Sequence, residues 1–469
     1  MKRPILHLCL ALATTTAICD TTLTDNEGRS IEVEIIEIGT DSVDVRRATD
    51  SLRFTIPFTS LNAETKESLL QNIEADEAVE KFDYQSINEI LGLTLWGDQT
   101  LWDDTPEEVA KRLRWPQESK TNTQSSYRVY FGKSKKLIAG AKPHTAVLYG
   151  MDRKVDYISI MFANKGDSVK PGSVTDAEDA FDRVNEVIDA DEKTIRASFE
   201  SIGRPERKSG GSREMKERAL RWDIGDTAFW LATVEDEYIA LRIMPNELAD
   251  TWGRPVNRSD ASVRTAAKAN VLENEFDDVL ITNIPMVNQG PKGYCVPATM
   301  ERCLRYMGMR ADMYTLAMAG QTTISGGTSV EALIEGTSSY VRRRSRNIRQ
   351  FSGNLSIREI RRYIDDGQPV IWSMSSTKAY NNLANTITKA RQGQTDQKEW
   401  KSSLLRILRE APDLENIPGY GHVCLIVGYN TKTDEIAVSD SWGPRFELRW
   451  ISEDAAAKVS NGRFYVVDF

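Results

Sequence analysis

A cysteine, a histidine and an aspartate stand in this chain where a nucleophile, its base and an orienting acid would be needed. Cys295 lies in Gln289-Gly290-Pro291-Lys292-Gly293-Tyr294-Cys295-Val296-Pro297-Ala298-Thr299, ahead of an apolar stretch ending near Gly308. Proline fixes φ and lacks an N–H, so Pro297 belongs in a first helical turn and puts Cys295 at a helix N-terminus. The unpaired N–H groups and positive dipole end there favour a thiolate, the nucleophilic form of cysteine. The base must come from a distant part of the chain. The histidines are His7, His144 and His422. His7 falls in an N-terminal export-type segment. His144 stands beside Pro143 with no Cys, His or Glu at ligand spacing, and reads as an ordinary core or surface residue. His422 opens the glycine-bounded, β-rich run Gly421-His422-Val423-Cys424-Leu425-Ile426-Val427-Gly428-Tyr429, so a buried strand should hold its ring. Asp440, in Val438-Ser439-Asp440-Ser441-Trp442-Gly443, comes one hairpin later and is the expected orienting group.

These residues carry a resemblance. The Gln289-to-Cys295 spacing, the glycines Gly290 and Gly293 between them, the strand opened by His422, and Ser441-Trp442-Gly443 after Asp440 resemble the papain-like cysteine peptidases. Cys295-Val296-Pro297-Ala298 and an aspartate as third member are similar to the branch typified by the bacteriocin leader peptidases. The resemblance covers the C-terminal part of the chain and implies Cys295 as nucleophile, His422 as general base, Asp440 as its orienter and Gln289 as oxyanion donor. Lys292 stands where papain has a disulfide cysteine, and Val296 replaces the aromatic that usually follows the nucleophile; neither position takes part in chemistry.

The implied reaction is acyl transfer on a peptide or protein substrate through a Cys-His-Asp triad, with no metal and no cofactor. A catalytically silent binding module of the same fold, or a transamidase using the same acyl-enzyme, would share these residues.

The elements that must position them are spread over 469 residues, more than one domain at roughly 150 residues each. A net charge of -9 provides no basic footprint for nucleic acid. Met1 to Ala13 has a basic tip and a short apolar core, with a cleavage edge at Ala17 or Cys19, which predicts an exported protein. Bulky Ile18 disfavours a lipoprotein anchor at Cys19. No later stretch has the 18 or more apolar residues of a membrane helix. Cys303 and Cys424 read as small buried thiols rather than a bridge.

The organisation expected is α+β: a signal peptide at 1–19, a small β module at 20–62 similar to SLA-homology modules and suited to tethering, a helical linker at 63–83, an α+β domain at 84–255, a linker at 256–275, and a papain-like domain at 276–469 with helices first and an antiparallel sheet after. Within 84–255, Thr105-Pro106-Glu107-Glu108 and Thr175-Asp176-Ala177-Glu178 are helix starts, and the strands around them suggest a helix-on-sheet unit repeated twice. Trp96, Trp102 and Trp115 read as core, Lys208 to Ser212 as a flexible loop, and Arg342-Arg343-Arg344-Ser345-Arg346 as a solvated face. Helices are expected from Ser329, ended by Gly336, and from Ser356, ended by Gly367.

Overall fold

The structure, a computed structural model, describes residues 21–39, 41–47, 52–69, 84–97, 100–169, 176–210, 216–252, 259–324, 327–415 and 417–469. The expected signal peptide, with Cys9 and Cys19, lies outside them. The chain divides into two compact units, Met1–Asp83 and Tyr84–Phe469.

In the first unit, β1 (Thr21–Thr24), β2 (Ser30–Ile38), β3 (Ser42–Arg47) and β4 (Arg53–Pro57) form an antiparallel sheet in sequence order. Alternation in β2 and β3 sends Val33, Ile35, Val43 and Val45 to one face, where they bury against Leu23, Phe58, Leu61 and Leu69.

The second unit holds two eight-stranded sheets. The first contains β5 (Gln117–Lys120), β6 (Gln124–Tyr130), β7 (Thr145–Met151), β8 (Lys154–Asn164), β9 (Glu206–Gly210), β10 (Glu217–Ile224), β11 (Thr227–Val234) and β12 (Tyr238–Pro245) in the order β5-β6-β7-β8-β12-β11-β10-β9. It is two four-stranded meanders joined at β8 and β12, each preceded by a helix, Pro106–Leu113 and Ala177–Ser198. The repeat suggested by the sequence is present. Thr105 caps the first helix in a capping box and Asp176 caps the second. Trp96 and Trp115 are core, and Trp102 donates to Thr227 Oγ1 at 3.0 Å. Lys208 to Gly210 are not a loop but the end of β9, paired with β10, and Gly211 and Ser212 lie outside the described residues.

The second sheet runs β13 (Val271–Glu273), β14 (Val279–Ile281), β17 (Tyr420–Asn430), β16 (Val370–Ser376), β20 (Ser460–Asp468), β15 (Asn347–Ser352), and β17 also pairs with β18 (Glu435–Ser439), which pairs with β19 (Arg449–Ser452). β17 is central and almost wholly buried, so its side chains have little room to move. The helices do not all come first: Lys378–Arg391 and Gln397–Glu410 lie between β16 and β17, where Trp400 fills the core and donates to Glu435 Oε2 at 2.7 Å. The stretch 256–275 includes the Ser259-capped helix Asp260–Ala269 and β13.

Two expectations fail for packing reasons. Gly336 does not end its helix, which spans Val330–Arg342. A Cβ there would sit 2.0 Å from the Ala319 carbonyl oxygen, so glycine marks a close helix approach. Gly336→Ala should therefore destabilise the protein by about 1–3 kcal/mol through overpacking, although helix propensity alone favours alanine; chemical denaturation gives the sign. The arginine run is not a uniform solvated face, since Arg346 is buried on the Phe469 ring and pairs with Asp260 at 2.5 Å.

Candidate active site

Cys295 is the first residue of the helix Cys295–Tyr306, and Pro297 occupies its first turn, where the missing N–H has no intrahelical partner to lose. Thr299 on this helix donates to the Val423 carbonyl at 3.2 Å, and Arg302 bridges from the Pro285 carbonyl to Ser439. The helix is thereby clamped to β17 and to the end of β18, the strands that present His422 and lead into Asp440.

The expected residues meet. His422 Nε2 lies 2.8 Å from Asp440 Oδ1, and the ring hydrogen-bonds the Cys295 thiol. With Nε2 on the carboxylate, Nδ1 is the nitrogen left to face sulfur. Trp442 stacks on the imidazole at 4.7 Å between centroids. Burial alone would raise the Cys295 pKa, but the hydrogen bond and charge of His422, with the Val423 and Val296 N–H groups, bring it below the ordinary thiol value. Burial opposes the charged imidazole as well, yet Asp440 and the Cys295 thiolate lift His422 to about 9. Both shifts favour a thiolate beside an imidazolium.

Arg449 was not legible as a site residue. Its Nη2 lies 2.5 Å from Asp440 Oδ2, so one carboxylate oxygen serves His422 and the other a guanidinium. Asn381 accepts from Arg449 at 3.1 Å, and Trp442, Phe446 and Tyr380 surround its charge. Burial pushes Asp440 up, but these two partners hold it below the usual carboxylate range. A lone arginine on a short strand gives no sequence signal of this role.

Gln289 is buried in the loop before the helix, its backbone N–H on the Ser441 carbonyl at 2.8 Å and its side-chain amide on the Lys292 carbonyl at 3.1 Å. That leaves one amide hydrogen of Gln289 uncommitted. Gly290 follows at φ +72°.

Residues 281–461 match the model of the Peptidase_C39 like family. No curated protein matches the chain. The Peptidase_C39-like segment includes Gln289, Cys295, His422, Asp440 and Arg449, and supports a papain-like peptidase domain in this part of the chain.

The remaining candidates fall elsewhere. Cys303 and Cys424 are free and buried, without a disulfide, and burial drives the Cys303 thiol to about 12 and Cys424 well up. Iodoacetamide at neutral pH should therefore alkylate Cys295 in the native Peptidase_C39-like segment and spare the other two, read by peptide mapping; equal labelling of Cys303 would contradict the ion pair. Cys424 does come within 4.8 Å of the His422 and Asp440 ligand atoms, a grouping that could hold a metal ion, but both Asp440 oxygens already serve His422 and Arg449. His144 pairs with Asp167 at 3.1 Å and lies edge-on to Tyr130. Among the described residues no helix is long and apolar enough to cross a membrane.

Proposed function

We propose that the protein is an exported cysteine peptidase that hydrolyses peptide bonds with Cys295 as nucleophile, His422 as proton carrier, Asp440 as its orienter and Gln289 as oxyanion donor. The observation that carries this reading is the continuous chain of thiol, imidazole, carboxylate and guanidinium starting at a helix N-terminus. The Cys295 thiolate adds to the substrate carbonyl, and its oxygen takes the negative charge beside the Cys295 N–H and the free Gln289 amide hydrogen. His422 gives its proton to the departing amine, leaving a thioester. His422, now neutral, takes a proton from water as the water attacks, and the carboxylic acid leaves with the thiolate restored.

Removal of residues 1–19 on export and a tethering role for residues 20–62 complete the proposal. Incubation with a peptide library, followed by mass spectrometry, tests it. Products heavier by one water summed over the fragments indicate hydrolysis, ligated peptides indicate transamidation, and an unchanged library indicates a binding module. The pH profile adds a signature: turnover should fall as pH rises through about 9, where His422 loses the proton it must donate. Alkylation of Cys295 should persist there, because the thiolate remains.

A further inference from the structure

The loop from Asn288 to Cys295 is held from outside the Peptidase_C39-like segment. Asn288 N donates to Glu118 Oε1 at 2.7 Å, and the Asn288 carbonyl accepts from the Tyr130 hydroxyl at 2.7 Å. Met286 N donates to Ser119 Oγ at 2.9 Å. Gly290, two residues after Asn288, lies so close to the Tyr130 ring that a Cβ would come within 2.9 Å of it. At the other end of the loop Tyr294, which immediately precedes Cys295, donates to Asn164 Oδ1 at 2.6 Å.

The groups that grip the loop are themselves fixed. Glu118 is buried, accepts from Arg128 Nε at 2.7 Å and from Ser126 Oγ at 3.0 Å, and so presents its oxygen in one orientation. Arg128 lies 3.7 Å from Glu301 on the nucleophile helix, and Tyr149 donates to the same Glu301 oxygen at 3.0 Å. The apolar side of this sheet shares one core with Val287, Tyr294 and Ala298. Such a rigid support matters because misplacing a reacting group by about 1 Å can cost on the order of a hundredfold in rate.

We infer that Glu118 and Tyr130 are positioning residues that brace the backbone at Asn288 and thereby aim the neighbouring Gln289 amide at the oxyanion. This inference rests on the peptidase reading and extends it: the sheet of residues 117–245 is a working part of the catalytic apparatus, not a detachable pro-region. The Cys295–His422 pair takes its geometry from β17 and the nucleophile helix, so slackening the Asn288 support should weaken transition-state stabilisation while leaving thiolate formation intact.

The test uses the full chain carrying Tyr130→Phe, which removes the hydroxyl but keeps the ring against Gly290, with Glu118→Gln as second variant because it retains an amide oxygen for Asn288 N. Each is assayed for peptide turnover and for the rate of Cys295 alkylation by iodoacetamide across pH. Tyr130→Phe should lower kcat roughly tenfold with KM nearly unchanged, and its alkylation rate and pH profile should match wild type. Glu118→Gln keeps the acceptor for Asn288 N and should lose less turnover, but it also takes the charge partner from buried Arg128, so a lower denaturation midpoint is expected with it. Wild-type kcat in Tyr130→Phe overturns the brace, and so does a parallel loss of alkylation, which would mean that the support is general to the fold. Wild-type protein without turnover, indistinguishable from Cys295→Ala, would overturn the peptidase reading and the brace together; an active wild type with indifferent variants overturns the brace alone.

Discussion

Cys295→Ala should abolish peptide turnover, a loss on the order of 10⁴–10⁶ in kcat, since removing the nucleophile of a catalytic unit costs about as much as removing the unit. The substitution deletes one small side chain at a helix start, so circular dichroism and chromatographic behaviour should be unchanged. It also removes the negative partner of the imidazolium. The His422 pKa, near 9 in the intact pair, should fall, and an NMR titration of the ring would record it. Cys295→Ser should be nearly as inactive, because a hydroxyl ionises far less readily than a thiol. Equal processing of a peptide library by wild type and Cys295→Ala would end the proposal.

The second large effect is expected at Asp440. In Asp440→Asn the amide can still accept from His422, but it no longer favours the imidazolium or fixes the tautomer; the corresponding exchange in serine proteases lowers kcat about 10⁴-fold. We expect kcat/KM to fall roughly 10²–10⁴-fold here, with a slower alkylation of Cys295 because the thiolate is less favoured. The change also strands Arg449, whose guanidinium is buried against Trp442 and Phe446. An unpaired buried charge costs about 3–5 kcal/mol, so the single variant should unfold at lower denaturant. Adding Arg449→Met should restore part of that stability without restoring turnover. Recovery of turnover in the double variant would show that Asp440 acts only through folding.

The site was legible where chemistry constrains residue type locally. Pro297 placed Cys295 at a helix start, a glycine-bounded apolar run placed His422 on a buried strand, and Ser441-Trp442-Gly443 marked Asp440. Alternation made β2 and β3 of the first unit legible, because side chains in a strand alternate with a period of two, whereas the central strands of the two larger sheets are buried on both faces and show only as apolar runs between turn residues. Arg449, Glu118 and Tyr130 were not. Tyr130 meets Asn288 across 158 residues, and nothing in the local sequence of either announces the other. Gly336 misled because glycine usually stops a helix, whereas here it admits the Ala319 carbonyl. The helices Lys378–Arg391 and Gln397–Glu410 interrupt the helices-then-sheet order between β16 and β17, and no local signal in the sequence ties them to the sheet they pack on.

The duplicated sheet of residues 117–245 has two margins with opposite guards. Its first strand, β5, is met by the backbone of Met286 and Asn288 through the Ser119 and Glu118 side chains, so the protein's own chain lies against that strand. The far strand, β9, ends the sheet with Glu206, Arg207, Lys208 and Ser209 exposed in succession. Exposed sheet margins invite foreign strands to add on and grow into aggregates, and charge placed along them is a deterrent. Neutralising Arg207 and Lys208 would thus create stickiness at a place remote from the thiol, and loss of protein to precipitation there should not be mistaken for loss of catalysis.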